Sequence, residues 1–287
     1  MEKLKNYALL MRLDKPIGSL LLVWPMLCAL WFGSAGSPDL WVLFVFILGT
    51  VLMRSAGCVM NDIADRNFDG FVARTKDRVI ASGKVTVKEA LAVFAVLAIL
   101  AFLLVLSLKN LLVVELAFVA LFLAVSYPFT KRFFPLPQAY LGVAYGFGIP
   151  MAFAAAQNAV PFSAWLFLAG NVFWSLAYDT EYAMVDKNDD IKIGICTSAL
   201  TFGRFDVVAV MISYAAFFVI VAIVGFGFYK MGIGLAVGLA VAIFFAIRHY
   251  FWIKNRDRAQ CFRAFLHNNY VGMCLFLGVF VDFLLYS

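Results

Sequence analysis

Residues 41–69 read WVLFVFILGTVLMRSAGCVMNDIADRNFD. The first twenty, Trp41 to Met60, carry one charge, Arg54, and the stretch that follows carries Asp62, Asp65 and Asp69. A helix needs about 20 mainly apolar residues to cross the hydrocarbon of a bilayer. The segment therefore reads as a transmembrane helix that delivers carboxylates to the water boundary. If the helix continues past Met60, the three aspartates fall at i, i+3 and i+7 and share one face, with the Asn61 amide at its border.

The rest of the chain has the same character. Of its 287 residues 64% are hydrophobic and only 14% charged, too few polar groups to clothe a soluble domain. Apolar runs recur at 17–34, 88–108, 111–127, 137–157, 161–180, 206–228, 231–253 and 266–285. Together with 40–60 they predict an all-α polytopic membrane protein of nine spans in a single domain, 1–287. With the N-terminus in the cytoplasm, every Lys and Arg except Lys109 and Lys230 lies on or faces the cytoplasmic side, the positive-inside pattern. Residues 1–15 then read as an uncleaved lead into the first span. The net charge of +6 sits on that basic face, which suits anionic headgroups and substrates and gives no case for nucleic acid.

Far-side loops such as 108–110 and 229–232 are very short, whereas the long, charged connections 61–87 and 181–205 are cytoplasmic, so chemistry is expected there. Thr86 followed by Glu89 forms a capping box that starts span three. The five cysteines are scattered and never spaced CxxC, and read as packing residues. His249 and His267 lie near span ends without a ligand set, so interfacial hydrogen bonding is expected of them rather than metal binding.

A second acidic stretch, YDTEYAMVDKNDD (178–190), places Asp179, Tyr182, Asp186 and Asp190 on one helical stripe, while Glu181 and Asp189 point elsewhere. Carboxylates gathered at low dielectric repel, so a cation is expected among them. Oxygen ligands without His or Cys select Mg²⁺ or Ca²⁺, and Mg²⁺ takes one or two carboxylates and leaves its other positions to water and phosphate oxygens. Two such clusters facing one another would clamp a diphosphate. Arg74, Lys76 and Arg78, and Tyr127, Lys131 and Arg132 of SYPFTKR (126–132), are basic and aromatic partners on the same rim, with Pro128 expected to end its helix. Arg54 lies two turns deeper than Asn61 on the same face. A guanidinium at that depth needs an anion, either a substrate carboxylate or a structural partner such as Glu115 or Asp282. Most of the 31 phenylalanines are packing or lipid-facing, with some available to line a polyisoprenoid groove.

NDIADRNFD resembles the NDxxDxxxD motif of the UbiA superfamily of intramembrane prenyltransferases, and DKNDD (186–190) resembles its second, DxxxD, motif. MRLDKPIGSLLLVWP (11–25), SYPFTKR and CFRAFLHNNYVG (261–272) are similar to the branch that prenylates 4-hydroxybenzoate in ubiquinone biosynthesis, and the likeness covers nearly the whole chain. The resemblance implies nine helices around a central cavity capped by two Asp-rich cytoplasmic loops, in a bacterial inner membrane. It implies Mg²⁺ as cofactor and a polyprenyl diphosphate and 4-hydroxybenzoate as substrates. By matching position, Asn61, Asp62, Asp65, Asp69, Asp186 and Asp190 would hold the Mg²⁺-diphosphate; Arg78, Tyr127 and Lys131 would contact the diphosphate, helped by Arg132; and Arg54 would face the aromatic acid. Asp65, Asp186 and Arg54 are the expected catalytic residues. The group that takes the ring proton stays open between diphosphate and an aspartate. Two alternatives stand beside this reading, a relative with another aromatic acceptor and a cation-coupled transporter. The second would need ionisable residues spread through the bilayer, where only Arg54, Glu115 and Asp282 clearly lie.

Overall fold

Polar residues flanking the apolar runs decide where helices begin. In the computed structural model, which describes residues 2–72 and 74–286, the elements are α1 (Glu2–Leu10), α2 (Ile17–Gly33), α3 (Leu40–Asp65), α4 (Val87–Ser107), α5 (Leu111–Thr130), α6 (Pro137–Gly146), α7 (Gly148–Gln157), α8 (Phe162–Ile193), α9 (Ser198–Phe202), α10 (Asp206–Ala222), α11 (Ile233–Ile253) and α12 (Arg258–Tyr286). Residues 1, 73 and 287 of the expected domain lie outside the described residues. Asp39 accepts the N–H groups of Trp41 and Val42 to start α3, Asn110 accepts that of Val113 to start α5, and the Thr86–Glu89 capping box forms as expected. No strand occurs among the described residues.

Among the described residues, seven helices are long and apolar enough to cross a membrane: those beginning at Leu40, Val87, Leu111, Pro137, Ser198, Ile233 and Arg258. Nine were expected. The other two expected spans correspond to α2, which is apolar but 17 residues long, and to α8, which has 32 residues and a polar stripe. Helix α8 tolerates that stripe because α6, α10 and α12 pack around it and keep it from lipid.

Several boundaries differ from the sequence expectation. Helix α3 stops at Asp65, so Asp69 is not its i+7 continuation but opens a separate 3₁₀ turn, Asp69–Phe71. Helix α5 runs through Pro128 to Thr130; a proline in the last turn removes only one backbone donor, and the Thr130 hydroxyl donates to the Tyr127 carbonyl there. The expected span 137–157 is two helices meeting at Phe147, where Pro150 cannot donate to the carbonyl four residues back. The connection 181–205 is helical to Ile193 and ends on Gly194 in the left-handed region (φ 70°).

Helices α11 and α12 approach closely through glycine. A Cβ at Gly238 would lie 2.6 Å from the Cys274 carbonyl oxygen, and one at Gly278 would lie 2.6 Å from that of Gly234, so the Gly234-xxx-Gly238 face admits no side chain. Where α12 passes the N-terminus of α11, the Asp282 carboxylate accepts the N–H groups of Gly232, Gly234 and Leu235 at 2.7–2.8 Å and caps α11. Deeper in the bundle, Glu181 is fully buried. It accepts from Tyr214 (3.0 Å) and Asn268 (2.8 Å), and Tyr214 also meets His249 (2.9 Å), which meets His267 (3.0 Å). His249 is thus 0% exposed and part of a buried network joining α8, α10, α11 and α12, not an interfacial residue as expected.

Candidate active site

The C-terminal ends of α3, α5, α8 and α11 lie at one end of the bundle, tied by long-range contacts. Arg132 donates to the Ala64 carbonyl, the Cys196 N–H to the Lys131 carbonyl, and Arg258 to Asp189. A cavity of about 230 Å³ opens there. Asn61, Asp62, Asp65 and Asp69 line it from the α3 side, and Asp179, Asp186 and Asp190 from α8. The two acidic clusters therefore share one space, the arrangement their spacing predicted.

Each carboxylate of the first cluster already holds a basic side chain. Asp62, 1% exposed, accepts both Arg12 (2.8 and 2.9 Å) and Arg78 (3.1 Å). Arg78 also donates to Asp69 at 2.9 Å. Lys131 bridges Asn61 (2.9 Å) and Asp65 (2.8 Å). Across the cavity Arg74 donates to Asp186 while its guanidinium lies 4.5 Å from the centre of the Tyr182 ring, so the loop after α3 is bonded directly to α8.

Burial pushes the Asp69 carboxyl above its ordinary value against the opposing pull of Arg78, and Asp65 and Asp62 add to the rise. Burial also works against the Arg78 charge, but the Asp62 and Asp69 carboxylates outweigh it and hold the guanidinium above its ordinary value. Asp190 is lifted to about 7 by burial and then by its neighbour Asp186.

Arg54 stands apart. Its Nη1 is buried with no hydrogen-bond partner among the described residues. Neither structural partner considered from sequence reaches it: Asp282 caps α11, and Glu115 is exposed on α5. Gly18 makes room for it, since a Cβ there would fall 2.6 Å from Arg54 Nε and 2.7 Å from Cζ. Arg54, Leu22 and Tyr145 line both the acidic cavity and a second, apolar cavity of about 380 Å³ that continues down α3 past Gly57, Met53 and Gly49 to Val45, walled by α4 and α5. Residues 45–65 of one helix thus run from an oily trough to a charged mouth, with Arg54 at the junction.

The structure brings together all the expected metal and diphosphate residues except Arg132, which lies outside the cavity. That guanidinium donates to Ala64 and packs against Phe129 (5.2 Å) and Phe68 (5.9 Å). Lys76 is likewise exposed and outside the cavity lining. Arg12, which lines the cavity, was missed: at the chain's start a positive charge looks like a topology signal, and its partner is 50 residues away.

The lining fits divalent cations on charge and donor type. Six acids (Asp62, Asp65, Asp69, Asp179, Asp186, Asp190) face five cations (Arg12, Arg54, Arg74, Arg78, Lys131), so a further polyanion enters favourably only with cations of its own. Among the described residues no three His, Cys, Asp or Glu side chains form a ready-made metal cage. Mg²⁺ asks for no such cage, since one or two carboxylates and phosphate oxygens complete its shell.

A family model described as the UbiA prenyltransferase family matches residues 22–273. The chain is similar to a 4-hydroxybenzoate octaprenyltransferase of Dechloromonas aromatica (strain RCB), with 60% identity over 283 residues, 99% of this chain and 95% of that one. In fold it resembles the apo structure of a UbiA homolog from Aeropyrum pernix K1 (TM-score 0.80, 25% identity, 92% and 97% of the two chains). It also resembles a UbiA homolog from Archaeoglobus fulgidus bound to GPP and Mg²⁺ (TM-score 0.72, 16% identity, 96% and 99%), a likeness of fold alone.

Proposed function

This chain belongs to the UbiA prenyltransferase family, and from that premise we propose that it moves a polyprenyl group from polyprenyl diphosphate to 4-hydroxybenzoate, at the ring carbon ortho to the hydroxyl. The reaction is Mg²⁺-dependent, releases diphosphate and is a step of ubiquinone biosynthesis; the whole chain acts as one membrane-embedded catalytic domain. The observation that carries this reading is that the acidic cavity and the apolar one adjoin at Arg54, which lines both. A lipid diphosphate has the same two parts in the same order.

In this assignment Asn61, Asp62, Asp65, Asp69, Asp186 and Asp190 supply oxygens for Mg²⁺, while Arg78, Tyr127 and Lys131 bind the diphosphate. When bound, Mg²⁺ supplies the positive charge that stabilises the departing diphosphate. The apolar cavity along α3, α4 and α5 takes the prenyl chain and keeps water from the allylic carbon as its C–O bond breaks. Arg54 binds the acceptor carboxylate, fixing the ring between the two walls. The acidic end faces the cytoplasm of a bacterial inner membrane, in keeping with the placement of Lys and Arg.

Proteoliposomes given octaprenyl diphosphate and 4-hydroxybenzoate test the reading by mass spectrometry of the product. Prenylated hydroxybenzoate is expected only with Mg²⁺ and is expected to vanish in Asp65→Ala and Asp186→Ala. Full turnover in either variant removes the site assignment. Product from dihydroxynaphthoate or homogentisate, and none from 4-hydroxybenzoate, changes the acceptor.

A further inference from the structure

One acid of the cavity has no task in the scheme above. Asp179 projects from α8 seven residues before Asp186, on the same stripe and about 10 Å deeper along the helix axis. Arg54 lies eight residues before Asp62, about 12 Å below it on α3. Both helices end on the same side, so both residues serve the deep part of the cavity, where Tyr145 also lines the wall.

What sets Asp179 apart is that no side chain bonds to it directly, although Lys131 and Arg74 lie near enough for their charges to act on it. Asp62, Asp65, Asp69 and Asp186 each hold an arginine or lysine. Asp179 makes no hydrogen bond or ion pair among the described residues. Asp190 also has no ion pair, but it sits eleven residues nearer the water, next to Asp186, and is already assigned to Mg²⁺. An acid kept at membrane depth without a structural partner marks function. Arg54 Nη1 is also unpartnered among the described residues, and Arg54 and Asp179 line the same cavity from α3 and α8, each close enough to Tyr145 for its charge to act on that ring's hydroxyl.

Resting on the reaction proposed above, the geometry points to Asp179 as the proton acceptor that completes aromatic substitution. The allylic C–O bond breaks with its electron pair leaving on diphosphate, and a C–C bond forms between the allylic carbon and the ring carbon ortho to the hydroxyl. The C–H bond at that ring carbon then breaks. Its electron pair restores the aromatic ring, and its proton goes to a carboxylate oxygen of Asp179, which passes it to water once product leaves. Arg54 on one wall holds the acceptor's carboxylate and Asp179 on the other receives its ring proton.

Asp179→Asn keeps the shape and removes the base. Three quantities are measured in proteoliposomes with Mg²⁺: prenylated product, exchange of a heavy-oxygen label between bridging and non-bridging positions of the donor, and the isotope effect with 4-hydroxybenzoate deuterated ortho to its hydroxyl. Product formation is expected to fall about 10²–10⁴-fold, the span of general-base contributions. Label exchange and the Mg²⁺ half-saturation are expected to stay at wild-type level, which also shows the variant folded. A primary isotope effect absent from wild type should appear, and Asp179→Glu should restore part of the rate. Wild-type turnover in Asp179→Asn without an isotope effect overturns the proposal and hands the proton to diphosphate. Loss of label exchange along with product overturns it too, by moving Asp179 to the diphosphate side. If instead wild type exchanges the label but prenylates no 4-hydroxybenzoate, the acceptor reading has failed, and this inference with it.

Discussion

Replacing Arg54 with leucine separates a substrate-binding arginine from a structural one. Its Nη1 has no partner among the described residues, so the substitution breaks no hydrogen bond seen at that atom and removes a charge that is costly at membrane depth. Thermal stability should hold or rise. A single charge-assisted hydrogen bond to an acceptor carboxylate is worth about 1.5–3 kcal/mol. At tenfold per 1.4 kcal/mol, KM for 4-hydroxybenzoate should rise about 10- to 150-fold. KM for the prenyl donor should change far less, because the residues proposed to bind its diphosphate lie nearer the mouth. Gly18→Ala supplies a second route to the same end, since its Cβ would push the guanidinium from its seat while the charge itself is retained. Initial rates with each substrate varied in turn, together with melting curves, decide the matter. An unchanged acceptor KM accompanied by a lower melting temperature would refute the reasoning and make Arg54 a structural residue.

Other parts of the structure make their own predictions. Gly49 faces the apolar cavity with no atom within 4 Å of an added Cβ, so Gly49→Leu should fold normally yet lose activity with long prenyl donors while keeping it with short ones; equal loss at every chain length would place the tail elsewhere. Asp282→Ala should lower thermal stability by about 1–3 kcal/mol, because three backbone N–H groups at the start of α11 lose their acceptor, with little effect on either KM. Gly278→Leu should be worse, since it forces α11 and α12 apart, and is read by loss of folded protein on size exclusion in detergent.

The acidic site was legible because helical spacing survives in a single sequence. Asp62 and Asp65 share a face of α3, and Asp179, Tyr182, Asp186 and Asp190 share one of α8, as the 3.6-residue period requires. Asp69 reaches the cavity by another route. The chain turns after Asp65, and the Thr75 hydroxyl, donating to the Asp69 carbonyl, with Arg78 on the Asp69 carboxylate, brings it back. The fold class was legible from hydropathy, but α8 falls outside the pattern of lipid-facing spans because α6, α10 and α12 shield its polar stripe. Least legible were contacts between distant segments: Arg12 with Asp62, Glu181 with Tyr214 and Asn268, and Asp282 with the backbone of α11. Charge alone announces that such residues need partners; only the packing of helices says which.

The near-equality of acids and bases around the mouth fixes how visitors must arrive. A bare pyrophosphate ester would add negative charge to a lining that already has a slight excess of it, and bare divalent ions would compete with guanidinium groups already seated on the carboxylates. Ester and ions together satisfy both sides, freeing arginine and lysine to turn toward phosphate as the aspartates turn toward the incoming ions. Occupancy should therefore be synergistic, with each ligand tightening the other, and the mouth should sort its traffic by salt form before any bond is broken.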